Sequence, residues 1–124
     1  METGINNKCK AFTSLEQSRK LAEILPLESA DMIWVLANPD LPMIKAIAYE
    51  DSEKSKYYEI LPAWSLASLL GVLTENKICH YDDRYYCQYI SEGDEFPIYS
   101  TAEYDNPTDA CYEMIIKLIK NELI

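Results

Sequence analysis

The chain reads as a small α+β domain in which about three helices pack on a small, largely antiparallel sheet, in the order α-β-β-α-β-β-(β)-α. Three observations predict this. Apolar residues recur at helical spacing in three stretches with marked starts, near positions 13, 62 and 106. Short apolar or alternating runs of strand length fill the chain between them. Turn-forming residues separate those runs closely enough to favour hairpins over long crossovers.

Residues 1–11 lack periodicity and read as a loose lead-in. Thr13-Ser14-Leu15-Glu16 then offers a capping box, Thr13 as N-cap and Glu16 reaching back to its amide. The first helix is expected over 14–25, ended by Pro26, with Leu15, Ser18, Ala22 and Leu25 as its apolar or small stripe. Met32 to Ala37 is an apolar run of strand length stopped by Asn38-Pro39-Asp40-Leu41-Pro42, and Met43 to Tyr49 follows as its hairpin partner. Glu50 to Lys56 reads as an exposed turn and Tyr57 to Leu61 as a short strand.

Pro62 to Leu70 predicts a second helix with Pro62 in its first turn and Leu66, Leu69, Leu70 and Leu73 at helical spacing. Thr74 to Lys77 is expected to turn. Ile78 to Tyr81 and Arg84 to Ile90 are expected as strands around an Asp82-Asp83 turn, and 96–104 as an edge strand, where Pro97 is tolerated.

The last twenty residues carry the clearest helix signal. Asn106 is placed to cap and Pro107 to occupy the first helical position, while Asp109 and the pair Lys117 and Lys120 match the dipole at opposite ends. Cys111, Met114, Ile115 and Leu118 make one apolar stripe, and Tyr112, Ile116, Ile119 and Leu123 a second. Two stripes need two apolar neighbours, the domain's own sheet and either a second helix or a partner chain.

Length and composition bound the rest. At 124 residues, 48% hydrophobic and 26% charged, the chain fits one globular domain, 1–124, able to bury a core without staples. No apolar run approaches membrane-spanning length and no secretory signal opens the chain, so Cys9, Cys79, Cys87 and Cys111 are expected as thiols in a cytoplasmic protein. The net charge is 11 − 21 = −10, and no Lys or Arg occurs from Tyr85 through Ile116. Direct nucleic-acid binding is disfavoured by that charge, which suits a basic protein partner or simply solubility.

The residues that could carry chemistry are few. His80 is the one histidine; with Cys79 and Asp82 it could suggest a thiol or metal site, but strand alternation puts Cys79 and His80 on opposite faces and no metal-ligand spacing exists. Three glycines at 4, 71 and 93 exclude a phosphate-cradling loop. No catalytic residue, metal or cofactor is therefore assigned. Asp31 and Trp64 could line a pocket beside Ser65, although a connection cap and a core anchor are the more ordinary roles. Ten tyrosines, seven of them from Tyr81 onward, either bind a basic partner together with the nearby carboxylates or pack the sheet with their hydroxyls at the rim, the second being the more ordinary.

Three blocks, TSLEQSRKLAEILPLESADM at 13–32, PAWSLASLLGVL at 62–73 and DNPTDACYEMIIKLIKNELI at 105–124, together resemble a family of small uncharacterised proteins of Bacteroides-type gut bacteria and their phages and mobile elements. The resemblance rests on Thr13, Gln17, Ser18 and Leu21, on Ala30, Asp31 and Met32, on Pro62 to Leu66, and on Asn106 to Ala110. It covers about half the chain. The family has no assigned activity, so the likeness implies an origin and no catalytic residues. Ile116, Lys117, Leu118 and Ile119 stand where that family often has a Trp.

The function expected is that of a non-enzymatic accessory or protein-binding module, with a nucleic-acid mimic as one specific form. Its expected partner surface is Tyr85, Tyr89, Glu92, Asp94, Glu95, Tyr99, Glu103, Tyr104 and Asp105, joined to the second stripe of the last helix. Two alternatives stand beside it: a small enzyme or ligand-binding protein with a pocket near Trp64, Asp31 and His80, and a homodimer packed through the last helix.

Overall fold

The computed structural model describes residues 10–36, 41–46, 59–74, 76–90, 93 and 95–124. Among the described residues the architecture is α+β, three helices with two small antiparallel sheets rather than the one sheet expected. In chain order the elements are α1 (Leu15–Ile24), a 3-10 turn (Leu27–Ser29), β1 (Met32–Leu36), β2 (Pro42–Ala46), β3 (Glu59–Ala63), α2 (Leu66–Val72), β4 (Asn76–Tyr81), β5 (Arg84–Tyr89), β6 (Tyr99–Ser100) and α3 (Pro107–Lys120).

The first sheet has the order β2-β1-β3, with Val35 opposite both Met43 and Ile60. The second has the order β4-β5-β6, with Ile78 opposite Cys87 and Tyr89 opposite Tyr99. Among the described residues β5 pairs with β4 and β6 and with no strand of the first sheet, which the chain leaves through α2. The expected turn at 50–56 and residues 1–9 of the expected lead-in lie outside the described residues; its last two residues are not loose, since Lys10 O accepts from Thr108 Oγ1 at 2.8 Å and Ala11 O from the Leu66 amide at 3.0 Å.

Local chemistry accounts for most boundaries. Helix α1 starts one residue later than expected: Ser14 is the N-cap and Gln17, not Glu16, closes the capping box. Thr13 is instead buried, its hydroxyl bonded to Ser18 Oγ at 2.7 Å and accepting from the Trp64 amide at 3.1 Å. Helix α2 starts at Leu66 under a Ser65 cap, not at Pro62. Pro62 lies in β3, where it faces Ile33, and the position is tolerated because β3 is an edge strand. Strand β4 reaches back to Asn76, taking residues expected to turn. The Asp82-Asp83 turn forms as expected, both residues at positive φ (49° and 64°), as a two-residue hairpin of the right twist requires. The expected edge strand at 96–104 shrinks to Tyr99–Ser100 plus a lone bridge between Tyr104 and Tyr85.

Helix α3 matches its signal. Asn106 Oδ1 accepts from the Asp109 amide at 2.7 Å and Pro107 opens the helix. Its first stripe, Cys111, Met114, Ile115 and Leu118, is fully buried together with Ala110. The helix lies between β5 and α2, so its second apolar neighbour is a helix of the same chain. Tyr112, Ile116 and Ile119 are half-buried against the core, while Leu123 stays 42% exposed.

The end of α3 is a Schellman motif. The Glu122 amide donates to Ile119 O at 3.0 Å, the Leu123 amide to Leu118 O at 2.8 Å, and Glu122 sits at φ 59°. An L-residue with a side chain is strained there, so Glu122→Gly is expected to raise stability by roughly 0.5–1 kcal/mol, read as a rightward shift of the urea midpoint at unchanged slope.

Candidate functional site

Three places in the fold gather polar or aromatic side chains, and each is built from a different pair of elements. The first lies where β3 passes into α2. Trp64 is fully buried here, its indole N–H donating to Ser29 Oγ at 3.0 Å. Asp31, just before β1, receives the Ser65 amide at 2.9 Å and the Ser65 hydroxyl. Burial works against its ionisation, but the Ser65 hydrogen bonds outweigh burial and hold the carboxyl below its ordinary range. Asp31 therefore supports the cap of α2, and Ser65 Oγ in turn accepts from the Ser68 amide at 3.2 Å. The arrangement is that of a connection cap and a core anchor.

The second place is the β4–β5 hairpin. Alternation puts Asn76, Ile78, His80, Tyr85, Cys87 and Tyr89 on the face toward α3, and Lys77, Cys79, Tyr81, Arg84, Tyr86 and Gln88 on the other. His80 stacks on Tyr85, ring centroids 4.3 Å apart and planes within 4°. Cys79, on the opposite face as expected, points its thiol at Gln88 Oε1 at 3.5 Å. His80 is exposed and belongs to a different sheet from Trp64 and Asp31, so these three residues do not form the closed constellation that an active-site reading needs. Among the described residues no group of three or more His, Cys, Asp or Glu could hold a metal ion.

The third place is the acidic, aromatic stretch from Glu95 to Asp105 where it runs along β5. Tyr104 and Tyr85 exchange both backbone hydrogen bonds at 2.8 Å. The Tyr104 hydroxyl donates to Glu113, and burial followed by that carboxylate pushes it up to about 12. Arg84 spans the turn before α3, its guanidinium donating to Asp105 and to Glu103 O, both at 2.9 Å. Tyr99 packs on Tyr89, centroids 6.4 Å apart.

The residues expected on a partner surface therefore divide. Tyr89 is only 8% exposed and faces the core, which corrects its place on that surface. Tyr85, Tyr99 and Tyr104 are half-buried with one side committed to the fold. The aromatic residues follow the ordinary packing reading because strand alternation turns Tyr85 and Tyr89 to the helix-covered face. Glu95 and Glu103 are exposed, and Asp105 is paired with Arg84. Glu92 and Asp94 lie outside the described residues.

What sequence reasoning missed is the apolar pair next to Glu95. Phe96 is 76% exposed and Ile98 50% exposed, in a connection expected to be a paired strand. The one sequence signal was Pro97, which interrupts pairing between them. Family models, curated proteins and solved structures were each compared with the chain, and none matches it.

Proposed function

We propose that the protein is a non-enzymatic binding module of the phage or mobile-element kind, acting in the cytoplasm on a basic protein partner. One observation carries the reading: two large apolar side chains, Phe96 and Ile98, stand in solvent beside Glu95, inside a segment of 32 residues from Tyr85 through Ile116 that holds no Lys or Arg. A partner offering an apolar pocket ringed by Lys or Arg would cover the aromatic and meet the carboxylates. Glu95 and Glu103 supply charge and Phe96 the anchor.

The alternative enzyme reading has less support, since Asp31 is taken up by Ser65, Trp64 is buried and His80 stacks on Tyr85 in the other sheet. The homodimer reading drew on the second stripe of α3, three of whose four residues now have neighbours in the same chain.

The test is affinity capture with the full chain from a Bacteroides-type host lysate, alongside a Phe96→Ser/Ile98→Ser variant and a Glu95→Gln/Glu103→Gln variant. A specific protein should be retained by the native chain, lost from the apolar variant, and held at least tenfold more weakly by the charge variant, with retention falling as salt rises. Equal retention by all three chains, or none by the native chain at low salt, overturns the reading.

A further inference from the structure

Two thiols meet inside the core where α3 lies on β5. Cys87 is on the inward face of the central strand and Cys111 on the first stripe of α3; both are fully buried in one hydrophobic cluster. The Cys87 thiol lies 3.8 Å from Asn76 Oδ1, and the strand and helix that carry the two thiols pack directly on each other. Neither is disulfide-bonded. The other residues of that wall are apolar, Met114, Ile115 and Leu118 on the helix and Ile78 on the sheet. A pair of facing thiols adds little to such packing that two alanines or a valine would not supply, whereas it adds a chemistry those residues lack.

We propose that Cys87 and Cys111 are a dithiol–disulfide pair whose oxidation cross-links α3 to the central strand of the second sheet. The oxidant is a small-molecule disulfide. The Cys87 sulfur attacks one sulfur of that reagent and expels its first thiol; the Cys111 sulfur, giving up its proton, then attacks the Cys87 sulfur and expels the second. The chain loses two hydrogens and the reagent gains them. Cys87 is the attacking member because the neighbouring Cys111 thiol holds it below its ordinary range, while Cys111 is pushed up by Cys87 and by burial. Burial of both sulfurs makes the exchange slow in the folded chain and faster when α3 lifts from the sheet. Once formed, the bond closes a loop that contains β6 and the whole Glu95–Asp105 stretch.

The test uses the full chain carrying Cys9→Ser and Cys79→Ser, so that only the pair remains, held folded in buffer with oxidised glutathione and compared with the reduced form. Expected are a mass lower by two hydrogens, a tryptic fragment joining Cys87 to Cys111, an unchanged far-ultraviolet spectrum and a thermal midpoint higher by on the order of 10 °C. The same chain with Cys111→Ala in addition should instead carry glutathione on Cys87 or stay free. Two free thiols after exposure that oxidises the urea-unfolded chain, two glutathione adducts, or a cross-linked form that melts lower than the reduced one would each overturn the proposal.

Discussion

Trp64→Ala is expected to destabilise the fold by about 3–5 kcal/mol, a large share of the roughly 5–15 kcal/mol available to a domain of this size. Among the described residues Trp64 is the largest fully buried side chain, and it stands where β3 ends and α2 begins. Its backbone ties the start of α1 to that junction: the Thr13 amide donates to Trp64 O at 2.9 Å, and the Trp64 amide donates to Thr13 Oγ1 at 3.1 Å. Its indole N–H reaches Ser29 in the turn before β1. The ring itself belongs to the cluster that includes Leu21, Leu69 and Leu118, so one side chain touches the packing of all three helices. Trp64→Phe separates volume from polarity, keeping most of the apolar contact while losing the bond to Ser29, and should cost nearer 1–2 kcal/mol. Urea unfolding followed by circular dichroism measures both. A loss under 1 kcal/mol for the alanine variant would mean that the junction is held by its backbone pairings and not by the ring.

That junction also shows how far the sequence could be read. Pro62-Ala63-Trp64-Ser65 was expected to begin a helix because Pro is favoured in a first turn, yet Ser65 is the better cap and Pro62 is equally at home on a sheet edge. Helical spacing fixes a period, not a starting residue, and Thr13 and Ser14 compete for the α1 cap in the same way. The decision went to tertiary structure, which gave the Thr13 hydroxyl a buried partner in Ser18. Helix α3 was legible throughout because cap, Pro, dipole charges and stripes all agreed. Division of the strands between two sheets was not legible, since each hairpin is local while the choice of neighbours for β5 depends on contacts far along the chain.

The candidate surface was readable in composition and poorly readable in geometry. An acidic stretch rich in tyrosine is visible in a string of letters, but which rings face α3 follows from register, and register follows from the Asp82-Asp83 turn. With that turn fixed, Tyr85, Cys87 and Tyr89 share the inward face, so Tyr89 joins the core and Tyr85 is half-buried. Phe96 and Ile98 came into view only because the expected strand shrinks to Tyr99–Ser100 and leaves 96–98 outside it.

Asp109→Ala is expected to cost about 2–4 kcal/mol at neutral pH, and the matching Asp109→Asn variant should remove a pH dependence that the native chain shows below pH 4. One Asp109 oxygen accepts from Lys10 Nζ at 2.7 Å and from Gln17 Nε2 at 2.8 Å; the other accepts from Asn106 Nδ2 at 2.9 Å. Gln17 is itself held by the α1 capping box, and Lys10 O accepts from Thr108 Oγ1 at 2.8 Å. The carboxylate therefore fastens the N-termini of α1 and α3 and the segment leading into α1 to one another. Truncation leaves an ammonium and two amides, all part-buried, without their acceptor, and that loss exceeds the worth of any one contact. Burial alone would raise the pKa of this group, but Lys10, Asn106 and Gln17 outweigh burial and the folded value lies below the ordinary 3.8. A carboxyl so depressed contributes its full stabilisation above the unfolded value near 3.8 and loses it as pH falls through the lower folded value. The native chain should thus lose stability faster than Asp109→Asn as pH drops from about 5 toward 2, since the variant has no proton to take up at this site. Asp31 and Glu59, also depressed, titrate in both chains and cancel in the difference. Parallel stability curves for the two chains over that range would show that the hub is held by neutral hydrogen bonds and that the charge on Asp109 contributes nothing.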